Sequence, residues 1–272
     1  MPIGAFTAYM DFAQVTLYVF WFFFAALIFY LRREDRREGY PLEYDVSGKI
    51  EKTGWFWMPP AKTFNLFHGG TSVAPDYKRD TRPLKAKRVA PWPGSPFEPT
   101  GTNPLADCIG PASYAEREDK PELTLENTPK IVPMRAAKDF SVESSGPDPR
   151  GMTVIGSDGQ AAGTITDIWV DTAETFVRYF EVQLGSAAPA PSLATKGGKA
   201  PAKGAAPAAP AGKMVLLPVN FAHIDKGTRT VSVSAIPAGR FAQVPATAQP
   251  NQVTKLEEDK ISAYFGGGFL LA

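Results

Sequence analysis

The stretch FAQVTLYVFWFFFAALIFYL, residues 12–31, carries no charged side chain, and Asp11 and Arg32 close it at either end. At about 1.5 Å of rise per residue, its 20 residues make a helix roughly 30 Å long, the thickness of a hydrocarbon core. Twelve of the 20 are Phe, Leu, Ile or Val. Their insertion free energies sum to on the order of −5 kcal/mol, which outweighs Gln14 and Thr16 near one end. The segment therefore reads as a single transmembrane helix. A cleaved signal peptide would need a basic leader and a small-residue cleavage site after a shorter apolar core. Residues 1–11 hold neither Lys nor Arg, and Leu31 runs directly into Arg32-Arg33-Glu34-Asp35-Arg36-Arg37. Four Arg on one flank and none on the other predict a periplasmic segment 1–11 and a cytoplasmic C-terminal mass.

Working outward from the helix, residues 32–150 form a juxtamembrane and extended segment. Residues 41–150 contain 16 of the 26 prolines, with no helical period longer than a turn or two. Disordered linkers are poor in aromatics, whereas Trp55, Trp57, Phe64, Phe67, Trp92, Phe97 and Phe140 stud this one. It is expected to be ordered but irregular, and to lie over another surface because alone it buries little. Lys62-Thr63-Phe64 and Ile131-Val132-Pro133-Met134 read as short edge strands.

Residues 151–245 read as a mainly β domain. Val154-Ile155, a turn at Ser157-Asp158-Gly159, Thr164 to Val170, Thr175 to Leu184, Met214 to Val219 and Thr230 to Ile236 alternate β-branched runs with turn signals. That spacing predicts a small barrel or sandwich. Gly185 to Lys213 interrupts it with 29 residues, 11 of them Ala, five Pro and five Gly, and no aromatic. Such a stretch cannot offset its ordering entropy by burial, so a flexible insert within a β-hairpin is expected. In the remainder, 246–272, Thr254-Lys255-Leu256-Glu257 is a capping box opening a short helix that is expected to stop at Gly266-Gly267-Gly268.

Chemistry is sparse. The formal net charge is +1, which leaves no electrostatic footprint for nucleic acid. The single Cys108 provides no disulfide framework. His68 and His223 have no Cys or carboxylate at metal-ligand spacing. There is no nucleophile elbow, P-loop or dinucleotide fingerprint, which argues against a membrane-anchored hydrolase or oxidoreductase. The suggestive group is Asp167, Asp171, Glu174, Arg178 and Glu181, around one strand connection. Strand alternation places Asp167 and Asp171 on one face, with Ile168 and Val170 on the other. Turn chemistry with a solvated strand face is the commoner meaning of such a group. The alternative is a set of carboxylates whose proton affinity is raised by burial and repulsion, able to carry protons where water does not reach. Within the helix, Trp21 sits at mid-span, although Trp prefers the headgroup level. Contact with a partner helix or planar cofactor, and simple lipid contact, are both open.

Several blocks resemble the H subunit of the purple-bacterial photosynthetic reaction centre. They are Phe20-Trp21-Phe22-Phe23, the run from Leu31 through Arg36-Arg37-Glu38-Gly39-Tyr40-Pro41-Leu42, Pro96-Phe97-Glu98-Pro99-Thr100-Gly101 and Gly110-Pro111-Ala112-Ser113-Tyr114. Asp167-Ile168-Trp169-Val170-Asp171 and Glu257-Glu258-Asp259-Lys260 follow in the same order. The resemblance implies one transmembrane helix and a cytoplasmic domain built on the small β-barrel called the PRC barrel. It implies a non-enzymatic subunit that caps the cytoplasmic face of the L and M subunits. There it shields the quinones and helps conduct protons to the secondary quinone.

Bacteriochlorophyll, bacteriopheophytin, quinone and iron would then reside in the partner subunits, with none bound by this chain alone. A light-harvesting antenna and membrane lipids would be neighbours, in a bacterial intracytoplasmic membrane. The family's acidic positions after the Trp-Val pair match Asp171 and Glu174, with Arg178 as charge partner; Glu122, Lys130 and Arg117 fall in the neighbouring segment. Familiar members carry histidines where this chain has Thr124 to Pro129, leaving Glu126 as that stretch's titratable residue. Trp21, Tyr30, Arg32, Arg33 and Tyr40 are the docking candidates. A free-standing single-span adaptor built on a PRC barrel is the competing expectation.

Overall fold

The computed structural model describes residues 7, 10–52, 54–185 and 212–271. They form two compact units: Met1–Thr81 with Ala90–Ser95, and Arg82–Val89 with Pro96–Ala272. The first unit is built on helix α1, Phe12–Glu34. Asp11 caps it, its Oδ1 accepting the Gln14 N–H at 2.7 Å. Arg32 and Arg33 in the last turn complement the helix dipole. No residue of α1 is buried. A helix apolar on every side needs lipid or a partner around it, and α1 is the one candidate membrane span among the described residues.

Beyond α1 the Arg-rich run gathers the following chain. The Arg37 guanidinium donates to both Glu34 carboxylate oxygens, at 2.9 and 3.0 Å, and to the Pro60 and Ala74 carbonyls at 2.9 and 2.8 Å. Lys62 reaches the same Glu34 at 2.6 Å. These charges, rather than apolar packing, hold the exposed hairpin of β1 (Lys62–Asn65) and β2 (Thr71–Ala74). Arg36 donates to the Phe56 carbonyl, while Phe29 meets the Phe56 and Trp57 rings at 5.3 and 5.6 Å.

The second unit begins with a short antiparallel pair, β3 (Ala86–Arg88) and β4 (Phe97–Pro99). Its main sheet contains β5 (Ile131–Pro133), β6 (Thr153–Ile155), β7 (Ala161–Asp171), β8 (Phe176–Leu184), β9 (Met214–Pro218), β10 (Ala222–Asp225) and β11 (Thr230–Val233). The order is β10-β11-β6-β7-β8-β9, with β5 beside the second half of β7. Pairing is antiparallel except between β11 and β6. Ile165, Ile168 and Val170 of β7 pack with Phe180 and Val182 of β8, and with Leu217, Val231 and Val154. Each such buried side chain stabilises the fold by about 1.5–3 kcal/mol.

All seven expected strands are present, and β2, β3, β4 and β10 are additions; β10, a short, half-exposed run, offers little pattern to read. Antiparallel pairing of Val182 with Val215 brackets the insert within a β8–β9 hairpin. Residues 186–211 of that insert, expected to be flexible, lie outside the described residues. Among the described residues the sheet is also not closed into a barrel. Among the described residues no ladder joins β9 to β10; instead a 3-10 turn, Val219–Phe221, carries the chain between the two sheet edges. Pro218 ends β9 without an N–H to offer a further strand. The corner is filled by stacking of Phe221 on Phe265 and Phe269, at 5.7 and 5.8 Å.

Those two rings belong to α2, Lys255–Leu271. Its capping box forms as expected: the Thr254 hydroxyl accepts the Glu257 N–H at 3.2 Å, and Glu257 accepts the Thr254 N–H at 2.9 Å. The helix does not stop at the glycines, however; it runs through all three. The reason is packing. A Cβ on Gly267 would lie 2.6 Å from Ala112 Cβ, and one on Gly268 only 2.2 Å from the Ala235 carbonyl oxygen. A Cβ on Gly266 would meet nothing closer than 3.5 Å. Helix propensity and packing thus make opposite predictions along one turn. Gly266→Ala should raise stability by up to about 1 kcal/mol. Gly268→Ala should lower it by about 1–3 kcal/mol, because the contacted atom is backbone. Denaturant midpoints of the full chain in detergent check both signs.

Candidate functional site

Two register slips in the β7–β8 ribbon arrange its polar groups. Ile165 pairs with Val182 but Asp167 with Glu181, so Thr166 is an extra residue on β7. Trp169 pairs with Tyr179 but Val170 with Val177, so Arg178 is an extra residue on β8. Bulges of this kind re-aim side chains that strict alternation would send to opposite faces. The Ile168–Phe180 side of the ribbon is core, and the other side presents Asp167, Trp169, Asp171 and Glu181, all buried. The possibility of a solvated strand face at Asp167 and Asp171 is overturned: both are buried, Asp167 against Arg135 and Asp171 against Lys130.

The five residues singled out around the strand connection fall into three groups, each with a charge partner from elsewhere. The first centres on Lys130, whose Nζ lies 2.9 Å from Glu174, 3.4 Å from Asp171 and 3.6 Å from Glu122. Local structure sets this up twice over. The Lys130 N–H donates to the Glu122 carbonyl at 2.8 Å, closing a small loop whose tip holds the left-handed Asn127. The Thr172 N–H and hydroxyl both donate to the Lys130 carbonyl, at 2.9 and 3.0 Å, fixing the loop against the end of β7. Asp171 Oδ1 accepts the Ala173 and Glu174 N–H groups at 3.0 and 2.9 Å, which shapes the turn and places Glu174. The side chains are graded in exposure: Glu174 56 %, Glu122 47 %, Lys130 14 % and Asp171 2 %. The Glu174 hydrogen bond, with the Asp171 and Glu122 charges, raises the Lys130 pKa above its ordinary 10.5. The ammonium therefore clamps these carboxylates fully below pH 10.5, and its contribution is lost only as pH rises through the raised value.

The second group joins Arg135 to both Asp167 and Glu181, at 3.0 and 2.7 Å from one guanidinium nitrogen. Trp169 Nε1 donates to the same Glu181 oxygen at 2.8 Å, and Arg135 also reaches the Pro250 carbonyl and Asn251. A cavity of about 70 Å³ lies beside Arg135, Trp169 and Glu181. In the third group, Glu258 of α2 accepts from Tyr179 at 2.9 Å and Arg178 at 3.3 Å.

The remaining candidates lie apart. Arg117 pairs with Asp259 at 3.5 Å, and Glu126 is exposed in the 124–128 turn. On α1, Trp21 and Tyr30 are exposed, Trp21 meeting the Phe20 and Phe24 rings edge-on at 5.6 and 6.0 Å. Arg32 pairs with Asp35 at 3.2 Å, the Arg33 Nε is buried without a hydrogen bond, and Arg36 lies over the Tyr40 ring. Sequence reading missed Arg135 and Glu258. Each meets its partners only through the fold, 32 and 80 residues away, and neither carries a local signal. Among the described residues, no group of three His, Cys, Asp or Glu is placed to hold a metal ion.

Removing Arg135 leaves two buried carboxylates sharing no cation. Arg135→Met should destabilise the full chain by about 2 kcal/mol, below the 3–5 kcal/mol of a fully buried pair because the guanidinium is half-exposed. Adding Asp167→Asn and Glu181→Gln should restore at least half of the loss in the denaturation midpoint.

Two family models match the chain. One, described as photosynthetic reaction centre, H-chain N-terminal region, covers residues 4–136, including α1, Glu122 and Lys130. The other, the PRC-barrel domain, covers residues 141–239 and so β6 to β11, with Asp171, Glu174 and Arg178. The match to the H-chain region assigns a structural, membrane-associated subunit that assembles with the L and M subunits. With an H-chain region followed by a PRC domain along most of its length, the chain belongs to the family of photosynthetic reaction centre H subunits.

Proposed function

We propose that this chain caps the cytoplasmic face of the L and M subunits, shields the quinones from bulk water and conducts protons to the secondary quinone. The observation that carries the proton role is the graded cluster: Lys130 joins two solvent-exposed carboxylates to the buried Asp171. A quinone reduced in a low-dielectric site must be neutralised by protons, since uncompensated charge there is costly. A cap that excludes water must then provide titratable groups that span from solvent to interior. Glu174 and Glu122 face solvent at one end, and Asp171 stands at the other. With the familiar histidines absent, those two carboxylates, which contact Lys130, are the better entry groups, and Glu126 is not required.

The Arg-rich C-terminal flank of α1 supports an orientation in which the chain that follows it is cytoplasmic. Trp21, Tyr30, Arg32, Arg33 and Tyr40 serve as contacts to the pigment-bearing subunits, to surrounding antenna and to lipid. The exposed aromatics of the proline-rich segment extend that surface: Trp55, Trp57, Phe64, Phe67 and Trp92. Exposed apolar area on this scale marks an interaction surface.

In the assembled reaction centre, Glu174→Gln should slow proton-coupled transfer of the second electron to the quinone by on the order of tenfold, with the first charge separation intact. The loss is smaller than the 10²–10⁴ of a sole proton donor because Asp171 and Glu122 remain. Flash-induced absorption between pH 6 and 9 measures it, and an unchanged second-electron rate across that range counts against the role.

A further inference from the structure

The bulge at Arg178 brings together groups that an ideal strand would separate. Arg178 and Tyr179 are consecutive, yet both reach Glu258 Oε2, at 3.3 and 2.9 Å. Glu258 is buried in the first turn of α2, where the helix N-terminus favours a carboxylate. The guanidinium also lies over the Phe176 ring, 5.4 Å from its centroid, and Phe176 is the cross-strand partner of Asp171. Arg178 is thus paired with Glu258 on the helix, while the ring it lies over is that of the cross-strand partner of Asp171, whose charge also favours the guanidinium.

We propose that Glu258 is a positioning residue for the proton-conducting cluster, holding Arg178 as its own counter-ion and so keeping that cation from neutralising Asp171. This rests on the proton role proposed for Asp171 and Glu174. A carboxylate fully paired with Arg gives up its affinity for protons and ceases to relay them. Glu258 prevents this by occupying the guanidinium with a buried charge of its own. The Tyr179 hydroxyl completes the anchor: burial, and then the Glu258 charge, push it well above the ordinary phenol range, so it remains a donor.

The other charges around the pair are accounted for. Lys130, just before β5, faces Asp171, with Glu122 and Glu174 beside it. At the α2 terminus Arg117 pairs with Asp259 and Lys255 with Glu118, while Asp119 accepts the Thr254 hydroxyl. Each has its own partner, which leaves Glu258 as the carboxylate in contact with Arg178.

The test is the pH profile of second-electron transfer in the assembled reaction centre carrying Glu258→Gln, an isosteric change that keeps an acceptor for Tyr179. The apparent pKa of the rate should move down by about 0.5–1 unit, as a negative charge is lost and Arg178 is released toward Asp171. In an Arg178→Gln background the same substitution should shift it by less than half as much. Tyr179→Phe, which keeps the charge, should leave the profile in place, whereas a merely structural contact would make it behave like Glu258→Gln. Should Glu258→Gln fail to assemble, judged by the pigment absorption bands, Glu258→Asp draws the charge back by one methylene and should give a smaller downward shift. An unmoved profile, or equal shifts with and without Arg178, overturns the assignment to Glu258 if Glu174→Gln still slows the reaction. If Glu174→Gln is also without effect, the proton role itself falls and takes this inference with it.

Discussion

A carboxylate folded into the interior must find a cation or a set of N–H donors, or the fold loses several kcal/mol. The outer side of the β7–β8 ribbon buries Asp167, Asp171 and Glu181, and Glu258 comes down on it from α2. Every structural segment around the ribbon answers that demand. Lys130 arrives from the strand-like loop before β5, Arg135 from just after it, and α2 docks with Glu258 against Arg178 and Tyr179. Electrostatic need, more than apolar area, therefore decides where the irregular chain between residues 117 and 135 sits on the sheet.

The same economy of apolar packing marks the amino-terminal unit. Glu34 accepts from the Nε and Nη2 of Arg37 and from the Lys62 ammonium, while Arg37 Nη1 donates to backbone carbonyls of the chain that follows. Bidentate Arg–carboxylate geometry fixes direction as well as distance. A proline-rich segment with few ladder hydrogen bonds of its own thus acquires a defined course, while its aromatics stay outward. That division of labour suits a subunit of a larger complex.

What the sequence made legible follows from range. The membrane helix, the strands and the capping box are written within a few residues, as an uncharged window, β-branched runs and the Thr254–Glu257 spacing. What escaped depends on partners far along the chain. Gly266-Gly267-Gly268 reads locally as a helix stop, yet Ala112 and Ala235 need that face stripped of side chains. The extra residues Thr166 and Arg178 are invisible to a period of two, because a bulge is a relation between strands. Arg135 and Glu258 look like ordinary surface charges until the fold sets them against β7 and β8. The open seam between β9 and β10 likewise turns on a three-residue turn and the rings of α2, neither of which strand spacing encodes.

If the cluster has the proton role proposed for it, stability and proton movement are joined there. Groups that relay protons into a dry site must themselves enter it, and burial makes each one depend on a counter-charge. The counter-charge must be near enough to tolerate the anion but not so dominant that the proton never returns. Lys130 meets the first condition by spreading one ammonium over three carboxylates. At Arg178 the bulge sets the guanidinium against Glu258, which on the inference above keeps it from violating the second condition at Asp171. The irregularity in the strand is the means by which Arg178 and Tyr179, neighbours in sequence, meet one carboxylate.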